Sequence, residues 1–228
     1  MIRQLSRHIS VAGLCSLFVL GATLTNAEIS PTSPNWERAI TQFEEKDKTQ
    51  APLTGGVLFI GSSSIRMWKD LADDFPTASV INRGFGGSQI VDSIYFADRI
   101  VIPYQPAKIF LYAGDNDVAK GKSASTVLGD FQRFAAKVHA KLPKTQLYFI
   151  AIKPSLKRWN LAPEMEKANH LVQQFAQTSE LIHYVDIWTP MLGSDGKPLP
   201  GVFLEDGLHM NRAGYDIWAK VIAPLVSQ

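Results

Sequence analysis

Three consecutive serines, Ser62, Ser63 and Ser64, follow an apolar run in "VLFIGSSSIRMW", where Val57 to Ile60 read as a buried strand that breaks at Gly61. A hydroxyl at the end of a core strand can cap a helix, help cradle a phosphate or serve as a nucleophile. The third use also needs a neutral imidazole to take the proton, a carboxylate to orient that imidazole, and donors for the oxyanion of a tetrahedral intermediate. The chain has five histidines. His8 belongs to an N-terminal export signal, His139 and His170 fall within predicted helices, and His183 falls within a predicted strand. Only His209 lies in a loop, three residues after Asp206 in "EDGLHMNRAGY". At that spacing, in a turn entering a helix, the carboxylate can hold one ring nitrogen while the other faces a serine.

Such residues act together only if the fold gathers them. Five short apolar runs read as strands: "VLFIG" from Val57, "ASVINRG" from Ala78, "KIFLYAG" from Lys108, "TQLYFIAI" from Thr145 and "LIHYVDIW" from Leu181. Helical stretches are predicted at Ile65–Phe75, Ser88–Ile100, Ser123–Leu142, Pro163–Ser179 and Arg212–Val226. Nearly continuous apolar strands alternating with helices imply a parallel sheet covered on both faces, an α/β sandwich of three layers. In such a sheet the ligand sits beyond the carboxyl ends of the strands. The serines follow strand one, "GFGGS" follows strand two, "GDND" follows strand three, and the long loop "TPMLGSDGKPLPGVFLEDGLH" follows strand five, so all four are expected on one edge. That loop and the region Lys153–Trp159 are expected to border a pocket.

Each motif also has an ordinary structural reading. Ser63 at a helix start is a good cap, "GDND" and "EDG" are good turns with Asp115 and Asp117 as solvated or loop-bracing carboxylates, and "GFGGS" lacks the spacing of a dinucleotide fingerprint. Their order along the chain favours a joint function. Here the sequence, from about Val57 to Trp218, resembles the SGNH hydrolases, also called the GDSL esterase and lipase superfamily. That resemblance implies a flavodoxin-like three-layer fold with a five-stranded parallel sheet. It makes Ser63 of Gly61-Ser62-Ser63 the nucleophile, with Asp206 and His209 completing the triad. It assigns the oxyanion hole to the N–H of Ser63, the N–H of Gly87 and the side-chain amide of Asn116, with the helix start near Ile65 aimed at the same spot. One departure is that Ser62 stands where the family usually has aspartate.

The activity so implied is hydrolysis of carboxylic esters through an acyl-enzyme. Little chain remains for a lid, so short acyl groups on a soluble or glycan carrier are expected, O-acetyl esters of sugars foremost, with lysophospholipase or thioesterase chemistry as the alternative of the same fold. A flavodoxin-like module binding phosphate or flavin would use the serine loop but leaves Asn116, Asp206 and His209 without a role. A metallohydrolase would need recognisable ligand spacing and a second loop histidine; no metal and no cofactor are expected.

At 228 residues the chain suits one domain. Residues 1–27 read as a signal peptide: Arg3 and Arg7 precede the apolar stretch Val11–Leu24, and Thr25-Asn26-Ala27 offers a small-residue cleavage site. The apolar stretch is short of the roughly 20 residues a membrane-spanning helix needs, so no stable membrane anchor is expected. Leu14 before Cys15 argues against a lipid-modified cysteine. Cleavage near Ala27 would export the protein to the periplasm or beyond and remove its single cysteine. It would also remove two of 23 basic residues and none of the 21 acidic ones. The balanced charge that results provides no footprint for nucleic acid. Residues 28–50 are expected to form a helical extension, with a helix over Ser33–Lys48 serving packing, and residues 51–228 the hydrolase domain.

Overall fold

The computed structural model describes residues 30–227. The expected signal peptide lies outside the described residues. Helix α1 (Asn35–Thr49) leads into β1 (Val57–Gly61), then two single turns, α2 (Ser63–Arg66) and α3 (Leu71–Asp74). There follow β2 (Val80–Gly84), α4 (Ile90–Ile100), β3 (Lys108–Tyr112), α5 (Asp115–Ala119), α6 (Ala124–Lys141), β4 (Gln146–Ile150), α7 (Ala162–Ala176), β5 (Ile182–Val185) and α8 (Arg212–Val226). All strand pairings are parallel, in the order β2-β1-β3-β4-β5. This is the flavodoxin-like doubly wound order, whose direction reverses between β1 and β3.

Alternation along the strands separates two apolar layers. On one face Phe59, Phe110, Tyr148 and His183 occupy paired positions on successive strands. Their rings form a stacked ladder with centroid spacings of 4.8, 4.5 and 4.5 Å. Phe75, Trp68 and, from α8, Trp218 extend this cluster. The opposite face packs on α6, where Phe131 meets Phe149 of β4. Because both faces are covered, the strands read as unbroken apolar runs rather than alternating ones.

Helix α1 is tied to this frame by ions as well as packing. Arg99 of α4 bridges Glu37 and Glu44, and Arg83 of β2 bonds Asp47 while its guanidinium lies over the rings of Phe43 and Tyr104.

Two expected elements differ. The single helix predicted over Ile65–Phe75 is two short turns, because the side chain of Asn82 draws off the carbonyls of Ile65 and Trp68. The intervening Trp68 drops into the core and its indole donates to Asp74. Strand five ends at Val185 rather than Trp188, since the Asp186 carboxylate accepts the N–H groups of Trp188 and Thr189 and turns the chain.

Candidate active site

The serine turn is built by a glycine. Gly61 has φ +132°, and a Cβ there would stand 1.9 Å from the Tyr112 carbonyl of β3. Only glycine lets the strand end pass so close to its neighbour and turn directly into α2. Tyr215 of α8 donates its hydroxyl to the Ser64 carbonyl and fastens the turn from below. Ser62 and Ser64 are buried, which leaves Ser63 as the serine partly open to solvent. Helix α2 begins at Ser63 itself, two residues before the expected start near Ile65, and is a single turn.

The histidine comes from the turn before α8. The Asp206 carboxylate accepts the N–H groups of Leu208 and His209 through one oxygen, both at 2.9 Å. Its other oxygen accepts from Nδ1 of His209 at 2.5 Å. Nε2 then lies 3.0 Å from Oγ of Ser63, so the hydroxyl donates to the imidazole while Nδ1–H donates to the carboxylate. These residues are separated by 146 positions in sequence, and the spacing is within reach of proton transfer. Burial alone would raise the Asp206 carboxyl, but the hydrogen bond from His209 and the two backbone N–H groups outweigh it and hold the group at about 2. The site is open: the side chains of His209 and Asp206 are 25% and 48% exposed.

Of the expected oxyanion residues, Gly87 and Asn116 lie together. A Cβ on Gly87 would lie 3.7 Å from Nδ2 of Asn116, so the two share one corner. Among the described residues the N–H groups of Ser63 and Gly87 have no protein acceptor. Asn116 is on α5, a single helical turn. The turn is helical because Asp117 reaches back to the N–H of Gly114 and across to that of Ile90. Asn116 donates to the Ser88 carbonyl at 3.1 Å and accepts from Nη1 of Arg158 at 3.1 Å. Both neighbours demand the same orientation of the amide, so its oxygen and nitrogen are chemically assigned.

Behind this corner is a charged cluster missed at the level of sequence. Asp115 is buried rather than solvated, with Lys153 at 2.9 Å on one oxygen and Arg158 at 2.5 Å on the other. Burial would raise the Asp115 carboxyl, yet the two cations hold it below the ordinary carboxylate range. Burial likewise opposes the charge of Lys153, but Asp115 keeps that ammonium above its usual value. Burial pushes the Tyr112 hydroxyl beside them up to about 12, so it remains protonated. For Asp117, burial raises the carboxyl despite Lys122.

The segment Ser155–Arg158 also reaches the histidine turn, where Lys157 donates its N–H to the Gly207 carbonyl. The region Lys153–Trp159 therefore borders the site, with Lys153 underneath rather than in the wall. A cavity of about 570 Å³, between α1, α3 and β2, contains none of Ser63, Asp206 or His209. Among the described residues no group of three His, Cys, Asp or Glu side chains is placed to hold a metal ion.

The sequence profile of the GDSL-like lipase/acylhydrolase family matches residues 54–217. The chain belongs to this family. No curated protein matches the sequence. Solved structures match across nearly their whole length. A candidate platelet activating factor from Streptococcus pneumonia superposes with a TM-score of 0.75 at 22% identity, over 84% of this chain and 95% of that one. A GDSL-like lipase from Bacteroides thetaiotaomicron gives 0.72 at 21%, over 82% and 97%. An acetylxylan esterase from Geobacillus stearothermophilus gives 0.61 at 15%, over 76% and 95%. At these identities the likeness establishes a shared fold. Membership in the family makes the protein an ester-type acylhydrolase, and among the described residues no helix is long and apolar enough to cross a membrane.

Proposed function

We propose that this acylhydrolase cleaves short-chain carboxylic esters, O-acetyl groups on carbohydrates foremost, through an acyl-enzyme on Ser63. The observation that carries the reading is the unbroken chain from Ser63 Oγ to His209 Nε2 and from His209 Nδ1 to Asp206. In the first half-reaction the Ser63 oxygen attacks the ester carbonyl and its proton passes to Nε2. Asp206 stabilises the imidazolium, and the N–H groups of Ser63 and Gly87 with the Asn116 amide receive the oxyanion. Collapse of the tetrahedral intermediate breaks the bond to the alcohol, which takes the proton from Nε2. In the second half-reaction water gives its proton to Nε2 and attacks the acyl-serine, and the serine leaves with that proton restored.

The preference for short acyl groups is supported by the exposure of the His209 and Asp206 side chains. Leu156 and Leu204, 45% and 43% exposed beside the Asp206 turn, offer small apolar surfaces. The acetylxylan esterase among the structural neighbours is consistent with a sugar ester carrier. Export after cleavage near Ala27 would place the enzyme among such esters.

The test compares wild type with Ser63→Ala on aryl esters of increasing acyl length and on acetylated sugars, with a fluorophosphonate probe as label. Wild type should label and favour acetyl, and Ser63→Ala should do neither. Full ester hydrolysis by Ser63→Ala would overturn the nucleophile, and a rate maximum at long acyl chains would overturn the substrate class.

A further inference from the structure

We propose that Arg158 is a positioning residue of the oxyanion hole, acting through Asn116. This rests on the reading of Asn116 as an oxyanion donor and goes beyond it. A carboxamide on a one-turn helix has two free torsions, and a donor helps only if it is already aimed where charge develops. Two contacts fix this amide. The Ser88 carbonyl takes one Nδ2 proton, and Arg158 grips the oxygen, which leaves the second Nδ2 proton without a protein acceptor among the described residues and Gly87 beside it.

Arg158 is itself held. Its Nη1 also bonds Asp115, whose second oxygen is anchored by the buried Lys153. Lys153 is 1% exposed, and its Nζ reaches the Tyr112 hydroxyl at 3.2 Å. Two cations and one carboxylate leave a net positive charge behind the donor, at a contact of 3.1 Å to the amide oxygen. A guanidinium there polarises the amide so that its N–H becomes a stronger donor to an oxyanion. The same loop bonds the Gly207 carbonyl through Lys157, between Asp206 and His209. One segment after β4 therefore braces both halves of the site.

The experiment is a double-mutant cycle with Arg158→Ala and Asn116→Ala, read as kcat and KM on an aryl acetate, with Arg158→Lys as the conservative variant. Loss of one oxyanion donor costs about 100- to 1,000-fold, so loss of its brace should lower kcat by about 10- to 100-fold with little change in KM. Arg158→Lys should recover part of the loss. In the Asn116→Ala background, Arg158→Ala should cost no more than about twofold, because residues acting as one unit are non-additive. A loss confined to KM, a multiplicative loss in the double variant, or wild-type kcat in Arg158→Ala would each overturn the proposal.

The side-chain amide resonances of Asn116 in a proton–nitrogen spectrum provide a readout independent of turnover. They should shift in Arg158→Ala, and less in Arg158→Lys; unshifted resonances would overturn the proposal. A wild-type protein that hydrolysed no ester would count against the Ser63 reading, while the spectrum would still decide the role of Arg158.

Discussion

Replacing Lys153 with methionine isolates the charged cluster under the site. Methionine keeps much of the unbranched apolar stem and removes the ammonium. The lysine and aspartate side chains are 1% and 6% exposed, so little water can take the place of the lost partner. Breaking a buried ion pair by removing one member costs about 3–5 kcal/mol, chiefly from the charge left behind. Here Asp115 still has Arg158 on its other oxygen, which places the expected loss near the lower end, about 3 kcal/mol. For a domain of this size that corresponds to a fall in melting temperature of about 6–12 °C.

The direction with pH follows from Asp115. Its carboxyl is held below the ordinary range, so its contribution is complete above the carboxylate pKa of the unfolded chain and is lost as pH falls through the depressed value. The gap between wild type and Lys153→Met should therefore narrow on acidification. Urea unfolding followed by tryptophan fluorescence, at neutral and acid pH, measures both effects. The double variant Lys153→Met with Asp115→Asn removes the stranded charge and should recover at least half of the loss. A single variant as stable as wild type, or a double variant less stable than the single one, would refute the account of Lys153 as a charged partner of Asp115.

Two further outcomes can be checked. Asp206 is held at about 2 and is half-exposed, so its support of His209 is present above about pH 4 and fades only as pH falls toward that value. Asp206 should therefore add no proton to the acid limb of kcat/KM above about pH 4, and a slope steeper than one proton there would contradict this. Gly86 has φ +49°, and a Cβ there would lie 1.9 Å from the indole of Trp36. Gly86→Ala should cost about 1–2 kcal/mol from backbone strain alone, with a further loss from displacing Trp36. It should also lower kcat through the neighbouring Gly87 N–H. Trp36→Ala in the same chain should relieve the clash but not the strain, and a Gly86→Ala protein with wild-type stability and activity would refute the contact.

Trp36 shows how far a local reading extends. A helix over Ser33–Lys48 with Trp36, Ile40 and Phe43 on one face is legible, and a helix is found over Asn35–Thr49. That its first turn lies on the Gly86 loop is not legible, because β2 and the loop after it are set by pairing with β1. Asp115 reads as a turn residue for a similar reason. A carboxylate in "GDND" is locally a good turn former, and its burial depends on Lys153, 38 positions away.

What the sequence determined by itself is whatever short-range chemistry encodes: apolar runs for five strands, the glycine that ends β1, and an Asp-x-x-His turn whose carboxylate can hold one nitrogen of the imidazole. Family resemblance added which serine faces that histidine. The tertiary structure decided which side chains meet across strands. The register of β3 against β4 brings the loop after each to the same edge and sets Lys153 and Arg158 on Asp115 and Asn116. A cation buried by its partner has no signature in its own neighbourhood of the chain, because the carboxylate that makes its burial tolerable arrives only when the sheet has formed.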